Sequence, residues 1–228
     1  MLNKLHTRQK NSIQPLIAMF LVLIMPVFVS GKVNITSLIS ELPFNTTNID
    51  YAYVQFVLSC AFIFVGVLVW LWGSKSKLLR LVLFYTFIAT VYLVFGLLAL
   101  LLNLSSFGSN QALTLMKDAI IIWSMTALTF SLWYWLLDSG WTEQQGVKDT
   151  GRQDFLFSQQ TNKIQGWENW QPSYVEYLNL AFNTNTAFSP TDVIPLSHRV
   201  KVLMMVQSGL ALVIISTVAA QAINILST

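Results

Sequence analysis

The sequence predicts an all-α integral membrane bundle of about five transmembrane helices, with a re-entrant half-helix before the last. Three observations lead there. The 228 residues are 54% hydrophobic and only 10% charged, whereas soluble domains carry about 25% charged residues. So little charge cannot cover a water-facing surface, and a bilayer must solvate much of the chain. Five apolar runs approach the ~20 residues that cross a membrane as a helix, and none has a charge near its middle. Many of the eight Trp stand near the ends of these runs, where amphipathic rings settle at headgroup level. Long runs, rather than short alternating segments, point to helices and not to a barrel.

The first run, 13–30, follows a basic start with Lys4, Arg8 and Lys10, and contains Pro15 and Pro26. Its short apolar core also fits a signal peptide, with Val29-Ser30-Gly31 as a cleavage site; its length favours a retained helix. The second run covers 51–73, the third 78–102, the fourth 113–137 and the fifth 200–226. The chain divides into an N-terminal four-helix membrane region (1–138), a polar interfacial loop (139–173) and a C-terminal part (174–228). In the loop, Trp141, Trp167, Trp170, Phe155 and Phe157 point to a return to the membrane surface; an interfacial loop and a ligand lid are both open. Sequons at Asn34, Asn45 and Asn103 fall in the loops expected outside.

Short-loop Lys and Arg set the orientation. Lys4, Arg8, Lys10, Lys75, Lys77 and Arg80 stand against Lys32 and Lys117. This places the N-terminus, the 74–79 loop and residues 138–197 in the cytoplasm, in a bacterial cytoplasmic membrane. Other classes lose support. There is no basic stripe for nucleic acid, the single Cys60 allows no intrachain disulfide, and His6 and His198 are too far apart to begin a zinc site. No phosphate loop, nucleophile elbow or carboxylate pair appears, so no enzyme activity and no cofactor are expected.

Functional expectation concentrates on Tyr174 to Pro195, YVEYLNLAFNTNTAFSPTDVIP. It begins as an amphipathic half-helix, with Tyr177, Leu180, Ala181 and Thr184 spaced to share one face. It turns polar at Asn183-Thr184-Asn185-Thr186 and breaks at Pro190 and Pro195. A helix C-terminus carries partial negative charge, so carbonyls, hydroxyls and amides there favour a cation. Two readings stay open: a re-entrant pore loop, or an interfacial helix and Pro-rich turn.

Residues 177–192, with Pro195 after them, resemble a degenerate potassium-channel pore signature, in which a pore helix leads into a Thr-x-Gly-Tyr-Gly-Asp filter and then an inner helix. Thr184, Thr186 and Asp192 stand at matching positions. Ala187-Phe188-Ser189-Pro190 replaces the filter glycines, whose freedom lets successive carbonyls face the pore, so potassium selectivity is not implied. Such loops enter from outside, whereas the charge pattern here puts this one inside. The stretch through Arg199 to Gln207 is similar to a family of uncharacterised bacterial multi-pass membrane proteins with a pore-loop-like end.

The fifth run carries a polar stripe, Gln207, Thr217, Gln221 and Asn224, within about 100° of arc at helical spacing. Interhelical hydrogen bonding and a pore lining are both open. Ser124, Thr126, Thr129 and Ser131 in the fourth run can bond their own backbone. Lys117 and Asp118 read as boundary residues, and His198 as a solvated residue near the start of the last helix. The expected ion path comprises Thr184, Asn185, Thr186, Asp192, Gln207, Thr217 and Gln221. It implies a homo-oligomer in the lipid bilayer passing a monovalent cation. The rival expectation is a membrane scaffold or partner-binding protein with no transport activity; lipid enzymology is a distant third.

Overall fold

The computed structural model describes residues 14–29, 61, 64, 65, 68, 75–102, 112–140, 153–161, 170–186 and 193–226. Leu, Ile, Val and Phe fill the long elements, and each forms a helix because its backbone groups bond within the segment. Helix α1 (Gln14–Ile24) runs into a 3-10 turn, Met25–Phe28. Pro26 stands in that turn and has no N–H to donate to the preceding turn, so the α-helix tightens and stops there. Of the first expected span, Gln14–Ile24 is α-helical and Met25–Phe28 forms the 3-10 turn, while 13 and 30 lie outside the described residues. Helix α2 (Lys75–Leu102) and helix α3 (Ala112–Trp135), which ends in a wide turn over Leu136–Gly140, match the third and fourth expected spans. The second expected span, 51–73, lies outside the described residues apart from 61, 64, 65 and 68, where Phe64, Val65 and Leu68 are exposed.

The polar segment after α3 is not wholly loop. Strand β1 (Phe155–Phe157) is followed by the short helix α4 (Ser158–Thr161), then helix α5 (Tyr174–Asn185), strand β2 (Val193–Pro195) and helix α6 (His198–Leu226). The two strands pair antiparallel, Phe155 opposite Pro195 and Phe157 opposite Val193. This small sheet departs from the all-α expectation. Its cause is local: Phe155 and Phe157 share one strand face, and both are buried against the aromatic base of the bundle.

Three helices are long and apolar enough to cross a membrane: Arg80–Leu102, Leu113–Asp138 and His198–Ile223. A five-helix bundle was expected; among the described residues these are the three. Helix α3 is the hub, with 61% of its apolar window buried against 39% for α2 and 22% for α6. The packing fixes directions. Val82, Tyr85, Ala89 and Leu93 of α2 cluster with Met125, Leu128, Leu132 and Leu136 of α3. Further along, Leu97 and Leu100 meet Leu115, Ala119 and Ile122, so α2 and α3 are antiparallel. Val200 joins Phe130 and Tyr134 while Ile214 joins Leu115 and Ala119, so α6 is antiparallel to α3 as well. The starts of α2 and α6, the end of α3 and the small sheet share one end of the bundle. Helix α1 packs along α2: Ala18, Met19 and Val22 are buried, and Tyr85 Oη donates to Met19 O at 3.1 Å.

Candidate functional site

Helix α5 lies against α3 and α6 with Tyr174, Tyr177, Leu180, Ala181, Thr184 and Asn185 buried. The face expected from spacing (Tyr177, Leu180, Ala181, Thr184) is the face that packs. Its N-terminal end is anchored at the sheet end of the bundle. Tyr177 Oη donates to Asp138 Oδ2 at 2.5 Å, and Tyr174 and Ser131 hydroxyls share a hydrogen bond of 2.5 Å. Its C-terminal end is anchored much deeper. Asn185 Nδ2 donates to the Trp123 carbonyl at 2.8 Å. Gln207 Nε2 donates to Asn185 Oδ1 at 2.8 Å and to the Ala181 carbonyl at 2.7 Å. Gln207 Oε1 in turn accepts from the Tyr134 hydroxyl.

Helical rise converts these contacts into depth. At 1.5 Å per residue, Trp123 lies about 22 Å along α3 from Asp138, and Gln207 about 14 Å along α6 from His198. The 12 residues of α5 measure about 18 Å. So α5 runs from the sheet end to about the middle of α3 and about a third of the way along α6, and stops there.

A helix that ends away from water must satisfy its last carbonyls. The last turn of α5 does so with its own side chains and one from α6. Thr184 Oγ1 donates to Leu180 O at 2.8 Å, and Gln207 covers Ala181 O. Thr186 N–H donates to Phe182 O at 3.1 Å, and Thr186 Oγ1 to Asn183 O at 3.0 Å. These donors face the negative end of the helix dipole, where a bound cation would otherwise stand. Phe182 turns outward and meets Trp123 edge-to-face, with ring centroids 5.4 Å apart.

The expected path residues separate into groups. Thr184, Asn185 and Gln207 come together, each buried and hydrogen-bonded within the protomer. Thr186 caps α5. Thr217 and Gln221 are buried along α6, and Thr217 Oγ1 donates to its own helix at Val213 O, 2.8 Å. Asp192 and the Asn224 side chain lie outside the described residues. Asp118, expected at a boundary, is fully buried, with Lys117 Nζ 3.9 Å away and half exposed.

Sequence reasoning missed the polar knot at the sheet end. Arg199 forms a two-pronged pair with Asp154, its Nε donating to Oδ1 at 3.0 Å and its Nη2 to Oδ2. The Asp154 backbone N–H donates to Asp138 Oδ1 at 3.1 Å, and Leu196 N–H to Asp154 O at 2.9 Å. Asp138 thereby joins α3, α5 and the sheet, while Asp154 ties the sheet to α6. Phe155, Phe157 and Tyr177 stack edge-to-face around it, with Tyr134 beside Phe155. The only signal in the chain was the set of isolated charges bordering apolar runs, which reads equally as a solvated boundary.

The opposite side of α5 is mixed. Val175 and Phe182 are about half exposed, and Asn179 is exposed with Glu176, Asn183 and Thr186 partly so. Asn183 Nδ2 reaches Asn179 Oδ1 at 3.4 Å. Partial burial lifts the Glu176 carboxyl above its ordinary range. Comparison of the chain with protein-family models, with curated proteins and with solved structures finds no match.

Proposed function

We propose that this chain is an integral membrane protein of channel-like or transport-related type in which α5 is a re-entrant half-helix. One observation carries the reading: Asn185, at the end of α5, bonds Trp123 near the middle of α3 and Gln207 about a third of the way along α6, two helices long enough to span. Half of a ~30 Å hydrocarbon core is about 15 Å; the distances to the two partners of Asn185, about 14 Å along α6 and about 22 Å along α3, lie on either side of it. Non-helical backbone beyond such an end is tolerated only where protein buries it or water reaches it. The resemblance of 177–192 to a pore-loop segment points the same way. The working unit is a homo-oligomer in a bacterial cytoplasmic membrane, with the sheet end on the cytoplasmic side, and the species passed is a monovalent cation.

A second reading has its own support. The carbonyls from Leu180 to Asn183 each have a donor in the protomer, which suits a structural joint. In a membrane scaffold this joint would be the whole purpose of α5, and the broad apolar faces of α2 and α6 would hold a partner. Proteoliposomes decide between the two. The channel reading expects cation flux above that of empty vesicles. Lipid-level flux from correctly inserted, folded protein would leave the scaffold.

A further inference from the structure

The outward side of α5 carries four polar side chains at i, i+3, i+7 and i+10: Glu176, Asn179, Asn183 and Thr186. At 100° per residue they fall within about 80° of one another. They form a stripe along the whole half-helix, turned away from the buried face formed by Tyr177, Leu180, Ala181 and Thr184. Val175 and Phe182 lie beside the stripe, are also outward and are apolar. One edge of the outward face is therefore suited to lipid and the other is not.

The energetics decide what the polar edge can meet. A side-chain amide moved from water to hydrocarbon without a partner costs several kcal/mol, and Asn179 and Asn183 offer each other one long contact of 3.4 Å. A carboxylate in hydrocarbon is worse. Lipid is excluded, and a stripe of this length is matched by water or by another polar surface. The inward polar groups, Thr184, Asn185 and Gln207, are already committed to one another, so the outward stripe is the part of α5 left to line anything.

We infer that Glu176, Asn179, Asn183 and Thr186 line a water-filled cation path enclosed where copies of this chain meet, with Glu176 at its mouth. The inference rests on α5 being re-entrant. It moves the path from the side of α5 that faces Gln207 to the side that faces away. Repeated around a symmetry axis, Glu176 forms a ring of carboxylates at the sheet end, the arrangement that concentrates cations. The two Asn amides then supply carbonyl oxygens at successive turns, and Thr186 a hydroxyl at the deepest level. Partial burial of Glu176 fits a site at the edge of the hydrocarbon, where water remains in reach.

Single cysteines at Val175, Asn179, Phe182 and Asn183, in a Cys60→Ser background, test this in proteoliposomes with a membrane-impermeant cationic thiol reagent. Reaction at Asn179→Cys and Asn183→Cys, protection at Val175→Cys and Phe182→Cys, and loss of cation flux on modification are expected. Glu176→Gln, partly exposed and therefore expected to fold, should cut cation flux about tenfold at low salt. Protection at all four positions would mean that protein covers the stripe and would overturn the path. Equal reaction at all four would place α5 at the surface and overturn the re-entrant reading itself. Reaction confined to Asn179→Cys and Asn183→Cys without any effect on flux would also overturn the path, by leaving a water-facing stripe that conducts nothing.

Discussion

Gln207 is the residue on which the bundle's interior polarity turns. Its amide donates twice and accepts once, linking α5 and α3 to α6. Replacing it with Leu leaves the Tyr134 hydroxyl and Asn185 Oδ1 short of partners. An orphaned buried group costs about 1–3 kcal/mol in a soluble core. Interhelical hydrogen bonds in membranes average only ~0.6 kcal/mol, because the unfolded chain in the bilayer also finds partners. The second value governs here, and Gln207→Leu is expected to destabilise by about 1–2 kcal/mol in a reversible detergent unfolding titration. Asn185→Leu should behave alike, and the double variant should cost less than the sum of the singles. Additive effects would show that the two amides do not act as one unit. Arg199→Ala strips the charge partner from buried Asp154. The Arg199 side chain is half exposed, so the cost should be about 2–3 kcal/mol, below the ~3–5 kcal/mol of breaking a fully buried pair. Asp154→Asn in the Arg199→Ala background should recover part of it.

These residues were unequally legible. Gln207, Thr217 and Gln221 stood out because polar groups at helical spacing inside an apolar run must face something other than lipid, and the structure buries all three. What spacing cannot supply is the partner across space. Asn185 and Gln207 were named for separate reasons, and nothing linear in the sequence says that they touch. Tyr134 was hidden inside Trp133-Tyr134-Trp135, which reads as an interfacial aromatic belt; in the fold, Tyr134 is fully buried and bonded.

Among the elements, α5 is the one whose form follows most directly from its sequence. Its packing face, its length and its polar end were all visible in the spacing of Tyr177, Leu180, Ala181 and Thr184 and in the change of composition at Asn183. The sheet was not visible. Its strands are three residues each and lie 36 residues apart by register, Phe157 to Val193, too short for alternation to rise above chance. Phe157 is the pin of that sheet, stacked on Tyr177 at 5.6 Å and on Trp170 at 5.6 Å. Phe157→Ala should cost about 3 kcal/mol from cavity formation and raise proteolytic cleavage near 155–157 in native-state digestion. Unchanged digestion would mean that the strand pair contributes nothing to holding α5. In helix α1, Pro26 stands where the α-helix gives way to a 3-10 turn.

For the whole molecule, composition was the strongest guide, because the charge deficit is a property of surface area and needs no partner to be read. The three span-length helices, their alternation and the gathering of the starts of α2 and α6 at one end agree with the loop-charge pattern. In the re-entrant reading, α5 dips from that end into the membrane rather than lying along its surface. Nitroxide labels at Val175 and Phe182, both outward, in a Cys60→Ser background in lipid nanodiscs, test it through their relative exposure to oxygen and to a water-soluble nickel complex. Seven residues of helix correspond to about 10 Å. A half-helix that enters the membrane puts Phe182 about 10 Å deeper than Val175; equal depth at the two positions, both shallow, would contradict it.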